Sequence, residues 1–446
     1  MKIAALQALK YRNFRLFIGG QIFSLIGIWG QHMAQSWLVY ELTGSAVWLG
    51  IIDAANALPM LLFSLLGGSL ADQLPKRRLL IYIHFSGMLL AAVYAFLVFS
   101  DVITIYLIVV LALLGGFLVA LEYPIRQAIY IEMVGEEALT NAIALNSATF
   151  NLARLVGPAI GGYLVSAFGV AWCMAINSAS YLTIIISLFL IKLKEDRTKT
   201  RRTVSFRRSM KQVFIYIREQ RPIKGLLVLV AAMTVFGWSF MVMLPVLAKE
   251  VLGGGALVLG HLMSAAGLGA LMASILVAVV SNMFAPRTLV FTGLHAFILS
   301  LLVLTFSRSP LVSTIGVSMA GFGLVLFYVN ANSALQRRVP HELRGRVMGV
   351  YALIFGGMRP FGSTQMGAIT DWFGIHTAFV ISSAILALSG FLVSRWVPPV
   401  PRPAGTDAIR ERKALIHYPD KCPLSAFCMV RRLALYLARI CSSVFS

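Results

Sequence analysis

Charge is scarce in this chain. Only 12% of its 446 residues are charged, where a soluble globular domain carries about a quarter. Acids are the scarcer sign, 17 against 38 lysines and arginines. So little charge excludes a water-solvated surface around a chain of this size. Cysteine is nearly missing too. Cys173, Cys422, Cys428 and Cys441 form no CxxC pair, so neither a disulfide framework nor a metal cluster follows. The sequence holds no HExxH, nucleophile elbow or Walker loop, and no polar insertion large enough for a catalytic domain. The expectation is therefore no enzyme, no cofactor and no metal, with any driving energy taken from outside the polypeptide. The N-terminus lacks a small-residue cleavage site after a short apolar core, so the first apolar run is expected to stay as a span.

Apolar residues fill the space that charge leaves. They make up 59% of the chain, and mean hydropathy is +0.84. Twelve apolar runs, at about 16–40, 46–70, 79–99, 102–124, 138–163, 170–191, 224–247, 256–280, 288–306, 311–333, 346–368 and 374–394, approach the length that crosses a bilayer. This predicts an all-α integral membrane protein. The net charge of +21 does not point to nucleic acid, because the bases sit in short loops between apolar runs. They cluster in the first 15 residues, at 76–78, in 192–224, at Arg287, at 337–346 and in the tail, while the opposite side receives only Lys249 and Arg308. The positive-inside rule then predicts cytoplasmic N- and C-termini, with the lipid bilayer as the constant partner.

The linker from Lys192 to Lys224 carries twelve bases against three acids and divides the spans into two sets of six. The expected organisation is an N-terminal six-helix bundle (1–191), a basic cytoplasmic linker (192–223), a C-terminal six-helix bundle (224–394) and a cytoplasmic tail (395–446). Within Ser205–Gln220, Phe206, Met210, Phe214 and Ile217 recur at helical spacing. That segment reads either as a surface helix on the inner leaflet or as a plain tether. Phe427 to Val444 is a second, weakly amphipathic basic segment.

The two sets resemble each other at an offset of 205 residues. Arg154 matches Arg359, Gly157 matches Gly362, Gly162 matches Gly367, and Phe168-Gly169 matches Phe373-Gly374. Six spans separate the copies, so they share membrane orientation, as the halves of an alternating-access transporter do. A channel fits less well, because no filter-like loop is present.

Several polar residues inside spans stand out, since each must be paired or wetted. Asp53, near the start of the second span, reads either as a proton-exchanging carboxylate or as a local cap. Glu122 and Arg126, one turn apart, form either a structural pair or a proton or substrate site. Arg154 and Arg359 lie mid-span at matched positions, with Asp53 and Glu122 as candidate partners. If they face a central cavity they favour an acidic substrate. His32 suits proton sensing but equally suits packing. Gln31, Gln35, Asn56 and Asn146 are candidates to line a cavity, and Trp29 and Trp238 sit deep enough to stack on a substrate ring. Gly157, Pro158, Gly161 and Gly162 form a small-residue stretch suited to close helix packing and bending. Gly68, Asp72, Lys76, Arg77 and Arg78 form a charged turn suited to closing the cytoplasmic side, with Glu342, Arg344 and Arg346 as its counterpart in the second half.

Gly68, Asp72, Lys76 and Arg77 fit the loop motif of the major facilitator superfamily, although Gln73 and Pro75 depart from it. The GPAIGG stretch resembles the superfamily's antiporter motif. With Asn13–Phe17 and the stretch from Arg338 to Gly349, these residues resemble the branch containing the enterobactin exporter and the macrolide-efflux permeases, over roughly residues 10 to 396. The resemblance implies two pseudo-symmetric six-helix bundles in a bacterial cytoplasmic membrane, exporting a small or medium-sized amphipathic molecule by proton antiport. Twelve spans suffice for a monomeric transporter. An importer of the same fold, and a non-transporting sensor or scaffold, remain the alternatives.

Overall fold

The computed structural model describes residues 4–192, 206–281 and 283–397. The segment Phe427–Val444 and most of the first part of the basic linker lie outside the described residues, as do the side chains of Gly68 and Asp72. The described chain is helical, with no strand among the described residues.

Among the described residues, nine stretches are long and apolar enough to cross a membrane. Two of them supply two spans each. Ile105–Phe168 breaks at Gly135 (φ 72°), which separates spans 4 and 5. Glu342–Ser394 breaks at Gly374 (φ 82°), which separates spans 11 and 12. Ser382 Oγ lies 3.5 Å from Met366 Sδ across that second break. A straight helix would hold those residues about 24 Å apart, so the chain doubles back there. Arg12–Thr43 supplies span 1; its Arg12, Arg15, Gln21, Gln31, His32 and Gln35 dilute its apolar character. The count is twelve. Span 2 is Ala46–Gln73, span 3 Lys76–Phe99, span 6 Val170–Leu190, span 7 Arg221–Val251, span 8 Ala256–Val280, span 9 Pro286–Phe306 and span 10 Pro310–Arg338.

Gly169 (φ 89°, ψ 169°), between spans 5 and 6, and Gly374 (φ 82°, ψ 158°), between spans 11 and 12, are repeat counterparts. This corner of backbone space is open to glycine and essentially closed to side chains. The two copies therefore turn by the same device.

Four spans differ from the sequence expectation. Spans 4 and 5 run past the expected loop at 125–137 up to Gly135, because the polar residues there find partners: Glu132 meets Lys76 of span 3 at 2.6 Å, and Arg126 meets Glu122 one turn back on its own helix. Span 7 is not a regular helix. It passes through π turns at Met233–Gly237 and Leu247–Val251 and a 3-10 turn at Trp238–Met243. Pro245 has no N–H to close its turn, and Gly237 supports a regular helix poorly, so the ladder re-pairs around them. Span 11 begins at His341 and breaks at Met358, just before Arg359-Pro360, because Pro360 has no N–H to give to the carbonyl one turn back.

The linker does form a helix, Phe206–Glu219. Its apolar residues divide between two faces. Val213 is fully buried and Tyr216 and Ile217 pack beside it, while Phe214 and Ile215 are exposed. Many large apolar side chains on the spans, Phe96, Phe189, Phe306 and Ile315 among them, are also exposed. On a membrane-spanning bundle this is the lipid-facing surface.

Glycines bring the two sets of helices together with the repeat's symmetry. A Cβ at Gly162 would meet Ala256 O at 2.9 Å, and a Cβ at Gly367 would collide with Ala46 O. Ala46 and Ala256 are the first residues of spans 2 and 8. Likewise a Cβ at Gly260 would sit 2.5 Å from Pro158 O, and one at Gly50 would collide with Ser363 O. Two matched seams result, span 2 against span 11 and span 8 against span 5, with backbones in direct contact.

Candidate functional site

Inside the seam between spans 2 and 11, Asp53 and Arg359 form a bidentate ion pair. Arg359 Nε donates to Asp53 Oδ2 at 3.2 Å and Nη2 donates to Asp53 Oδ1. The partners are 306 residues apart, so the local-cap reading of Asp53 does not hold. Asp53 is mostly buried, whereas the Arg359 side chain keeps 36% of its surface open. Its guanidinium also lies 5.5 Å from the centre of the Trp238 ring. Arg359 is thus paired on one edge and partly open on the rest.

Arg154 approaches the same indole from span 5, 5.8 Å from the Trp238 centroid, and lies 5.7 Å from the Trp29 centroid. It is 5% exposed. Its Nη2 points at Met241 Sδ, 3.6 Å away, and its Nε has no hydrogen-bond partner. Among the described residues no carboxylate lies within ion-pair distance of it. Neither sequence candidate serves it, because Asp53 is held by Arg359 and Glu122 by Arg126 at 3.3 Å.

His32 joins this centre. Its ring is 6.0 Å from that of Trp29, and it lies within electrostatic reach of Arg359 and Asp53. Trp29 also meets Phe150 edge-on at 5.6 Å. Trp238 borders an aromatic cluster with Tyr328 and Phe355, in which Tyr328 shares a hydrogen bond of 3.1 Å with Thr234. The structure thus brings together His32, Asp53, Arg154, Arg359, Trp29 and Trp238. It does not bring in the rest. Asn177 Nδ2 donates to Gln31 Oε1 at 2.5 Å, cross-linking spans 6 and 1. Asn56 donates to Ile52 O on its own helix. Gln35 Nε2 and Asn146 Oδ1 are buried without a partner. Glu122 and Arg126 form their own pair, with His84, Tyr130 and Tyr181 around it.

The basic turn acts largely within its own half. Lys76 pairs with Glu132 of span 4. Arg77 donates from Nε to Leu188 O (2.7 Å) and from Nη2 to Phe189 O (2.9 Å), closing the C-terminal end of span 6. Arg287 donates to Ser394 O (3.1 Å), closing the end of span 12 in the same way. The second-half turn around Ser281–Arg287 keeps almost none of the motif's letters, yet it retains the base that caps the sixth helix of its set. Glu342 and Arg344 are exposed in the first turn of span 11, and Arg346 is half-buried there. Gly157 and Gly161 pack on Trp29, Ile26 and Gly30 of span 1, while Gly162 and the Pro158 carbonyl meet Gly260 of span 8.

Sequence reading missed one further group. Asp371, near the end of span 11, accepts hydrogen bonds from Ala46 N (2.6 Å), Val47 N (3.2 Å) and Ser45 Oγ. It is a carboxylate on the bare N-terminus of span 2, where Ser45 provides no cap of its own. Beside it Tyr40 donates to Glu250, and Lys249 lies over the rings of Trp37 and Tyr40 at 5.9 and 5.6 Å. These contacts join the two helix sets at the end opposite the basic turns. An acid three residues before the Gly374 turn was the available signal, but its partner lies 325 positions away.

Twelve helices in two repeat-related sets, meeting at glycine seams around a few buried charges, make this a major-facilitator-type membrane transporter. The family described as transmembrane secretion effectors matches residues 3–415, and the chain belongs to that family. It is 26% identical to the staphyloferrin A transporter of Staphylococcus aureus (strain NCTC 8325 / PS 47) over 368 residues, 82% of this chain and 92% of that protein. It is also 26% identical to the multidrug efflux pump Tap of Mycolicibacterium fortuitum over 365 residues, 80% of this chain and 89% of the pump. Macrolide efflux protein A of Streptococcus pyogenes is 22% identical over 393 residues, 84% and 95% of the two chains. Among solved structures, a bacterial homologue of the lysosomal transporter Spinster, in an inward-facing and unoccupied conformation, superposes with a TM-score of 0.68 at 14% identity, over 89% of this chain and 98% of the other. A D-xylose–proton symporter superposes with 0.64 at 14% identity, over 86% and 98%. At such identities the structures establish the fold alone.

Proposed function

We propose that this protein exports a small or medium-sized amphipathic molecule from the bacterial cytoplasm by proton antiport through alternating access. The observation that carries the reading is the Asp53–Arg359 pair, an ionisable bridge between the two helix sets inside the span 2–span 11 seam. Protonation of Asp53 removes the negative charge that holds Arg359. The pair is then replaced by a neutral acid and a cation, and the seam loses its strongest polar contact. Release of the proton restores it. His32 beside the pair is a route or relay for that proton.

The placement of bases puts the Thr43–Ala46 end of the molecule outside and both termini in the cytoplasm. On that orientation the Asp371 and Tyr40–Glu250 contacts close the outer side, which fits a state open inward. The names of the relatives, a staphyloferrin A transporter, a multidrug efflux pump and a macrolide efflux protein, support outward movement of such molecules. The fold serves a single chain, and the division into two bundles joined by the basic linker serves the rocking motion.

The test is proton flux in inside-out vesicles, energised and challenged in turn with siderophores, macrolides and cationic dyes. A substrate should dissipate the pH gradient with the native chain and fail to do so with Asp53→Asn. A gradient that collapses equally in both would sink the coupling role of Asp53. No response to any compound in the panel favours the sensor or scaffold alternative.

A further inference from the structure

The repeat that makes the two seams alike also reveals where they differ. Ala46 and Gly50 of span 2 take the places of Ala256 and Gly260 of span 8, and in the same register Asp53 corresponds to Met263. Arg359 and Arg154 are likewise counterparts. On Arg359 the Nε–Nη2 edge of the guanidinium is filled by the Asp53 carboxylate. On Arg154 the same edge has an unpartnered Nε and an Nη2 that reaches only a thioether sulfur. Where symmetry would place an acid stands Met263, itself buried.

A guanidinium 5% exposed with an open donor edge is expensive to keep. Cation–π contact with Trp29 and Trp238 offsets part of the charge but satisfies none of the in-plane N–H donors. We propose that this edge is a binding site for a carboxylate on the transported molecule, with Trp29 and Trp238 receiving the aromatic or apolar body beside it. The substrate class is then an amphipathic, ring-bearing carboxylate. Asp53 shows the geometry that the substrate's carboxylate adopts, because it occupies the equivalent edge of the equivalent arginine. This inference rests on the transport reading for its meaning, but the binding site stands or falls separately.

The experiment measures binding to purified protein in nanodiscs of neutral phosphatidylcholine, with sodium 1-naphthoate and its uncharged isostere 1-naphthamide as probes. The native chain should bind the naphthoate at least about tenfold more tightly than the amide, the increment of one charge-assisted bidentate contact. Arg154→Gln removes the donor edge. Met263→Asp supplies an internal carboxylate at the counterpart of Asp53. Each should weaken naphthoate binding about tenfold or more and leave the amide unchanged, with the melting temperature held or raised, since each relieves an unpaired buried charge. Equal affinity for the two probes, or unaltered naphthoate binding in either variant, would overturn the site. A melting temperature lowered by several degrees in Arg154→Gln would overturn it as well, by making Arg154 a structural group. Proton movement in vesicles is scored apart. Naphthoate binding without any coupled flux would leave the site in place and remove the antiport reading.

Discussion

The seam between spans 2 and 11 and the seam between spans 5 and 8 are built from the same parts. Each packs a glycine against the first residue of a partner helix, and each carries an arginine about two turns further in. They diverge beside those arginines: Asp53 completes the first seam, whereas Met263 leaves Arg154 of the second without an acid. The difference teaches how a duplicated scaffold divides labour. On the reading proposed above, one seam keeps an internal salt bridge that a proton breaks, and the other keeps a buried, unpaired donor edge that a ligand fills. Neither job requires a change of backbone, which is why the glycine contacts survive in both.

The largest effect expected from breaking this comparison is at Asp53. Asp53→Asn should lower substrate-driven proton movement by about 10²-fold or more, the usual scale for removing a proton-transferring group. The chain should still reach the membrane. Flux within a few-fold of native would make the two seams functionally alike and leave the coupling group elsewhere.

Next comes the close packing. A leucine at Gly260 would place its Cβ 2.5 Å from the carbonyl of Pro158 and 2.9 Å from Gly162, and backbone cannot move aside as a side chain can. Gly260→Leu should cost about 1–3 kcal/mol of stability, read as a lower melting temperature, and should stop transport. Gly50→Leu is the matched substitution in the other seam and should cost a similar amount. Tolerance at one site with failure at the other would mean that only one seam works as a tight hinge.

Asp371 has no acidic counterpart in the first half, since Ser166 holds its place at the 205-residue offset. Its three hydrogen bonds to the start of span 2 therefore bias one seam only. Asp371→Asn should remove about 1 kcal/mol of cap energy. A cysteine introduced at Ala46, which is 1% exposed, should then react about fivefold faster with an external membrane-impermeant maleimide. An unchanged labelling rate would show that the cap does not hold that side shut.

The smallest effect is the most symmetric. Arg77→Gln and Arg287→Gln each remove a cation from the C-terminal carbonyls of the sixth helix of a set. Each should lower stability by about 0.3–1 kcal/mol, and the double variant should show the sum, because the two caps share no partner. A marked departure from additivity in denaturation would mean that the halves sense each other through these ends.

Several features could be read before any coordinates. Hydropathy predicts span 8 at 256–280, and the helix is Ala256–Val280, because a run this apolar, with three glycines before it and Ser281-Asn282 after it, has few alternatives. The apolar run at 224–247 predicts span 7 but not its π and 3-10 turns. Hydropathy averages over a window and is blind to the turn that Pro245 disturbs. The match between Arg154 and Arg359 was visible at fixed offset, but their unlike surroundings were not. The Arg287 cap escaped notice for the opposite reason: motif letters had gone while the contact persisted.

By itself, then, the sequence determined a polytopic helical protein, the number of its spans, the side on which its bases collect and the internal duplication. These follow from composition and from periodicities that act over a few turns, where burial in lipid leaves the backbone little choice. The tertiary structure alone decided which arginine is paired, which helix end Asp371 caps and which polar residues share a centre. Those partners lie more than 300 positions apart, 306 for Asp53 and Arg359 and 325 for Asp371 and Ala46. Which helical faces meet is settled by backbone-to-backbone packing at a few glycines, and that summed geometry is carried by no local stretch of chain.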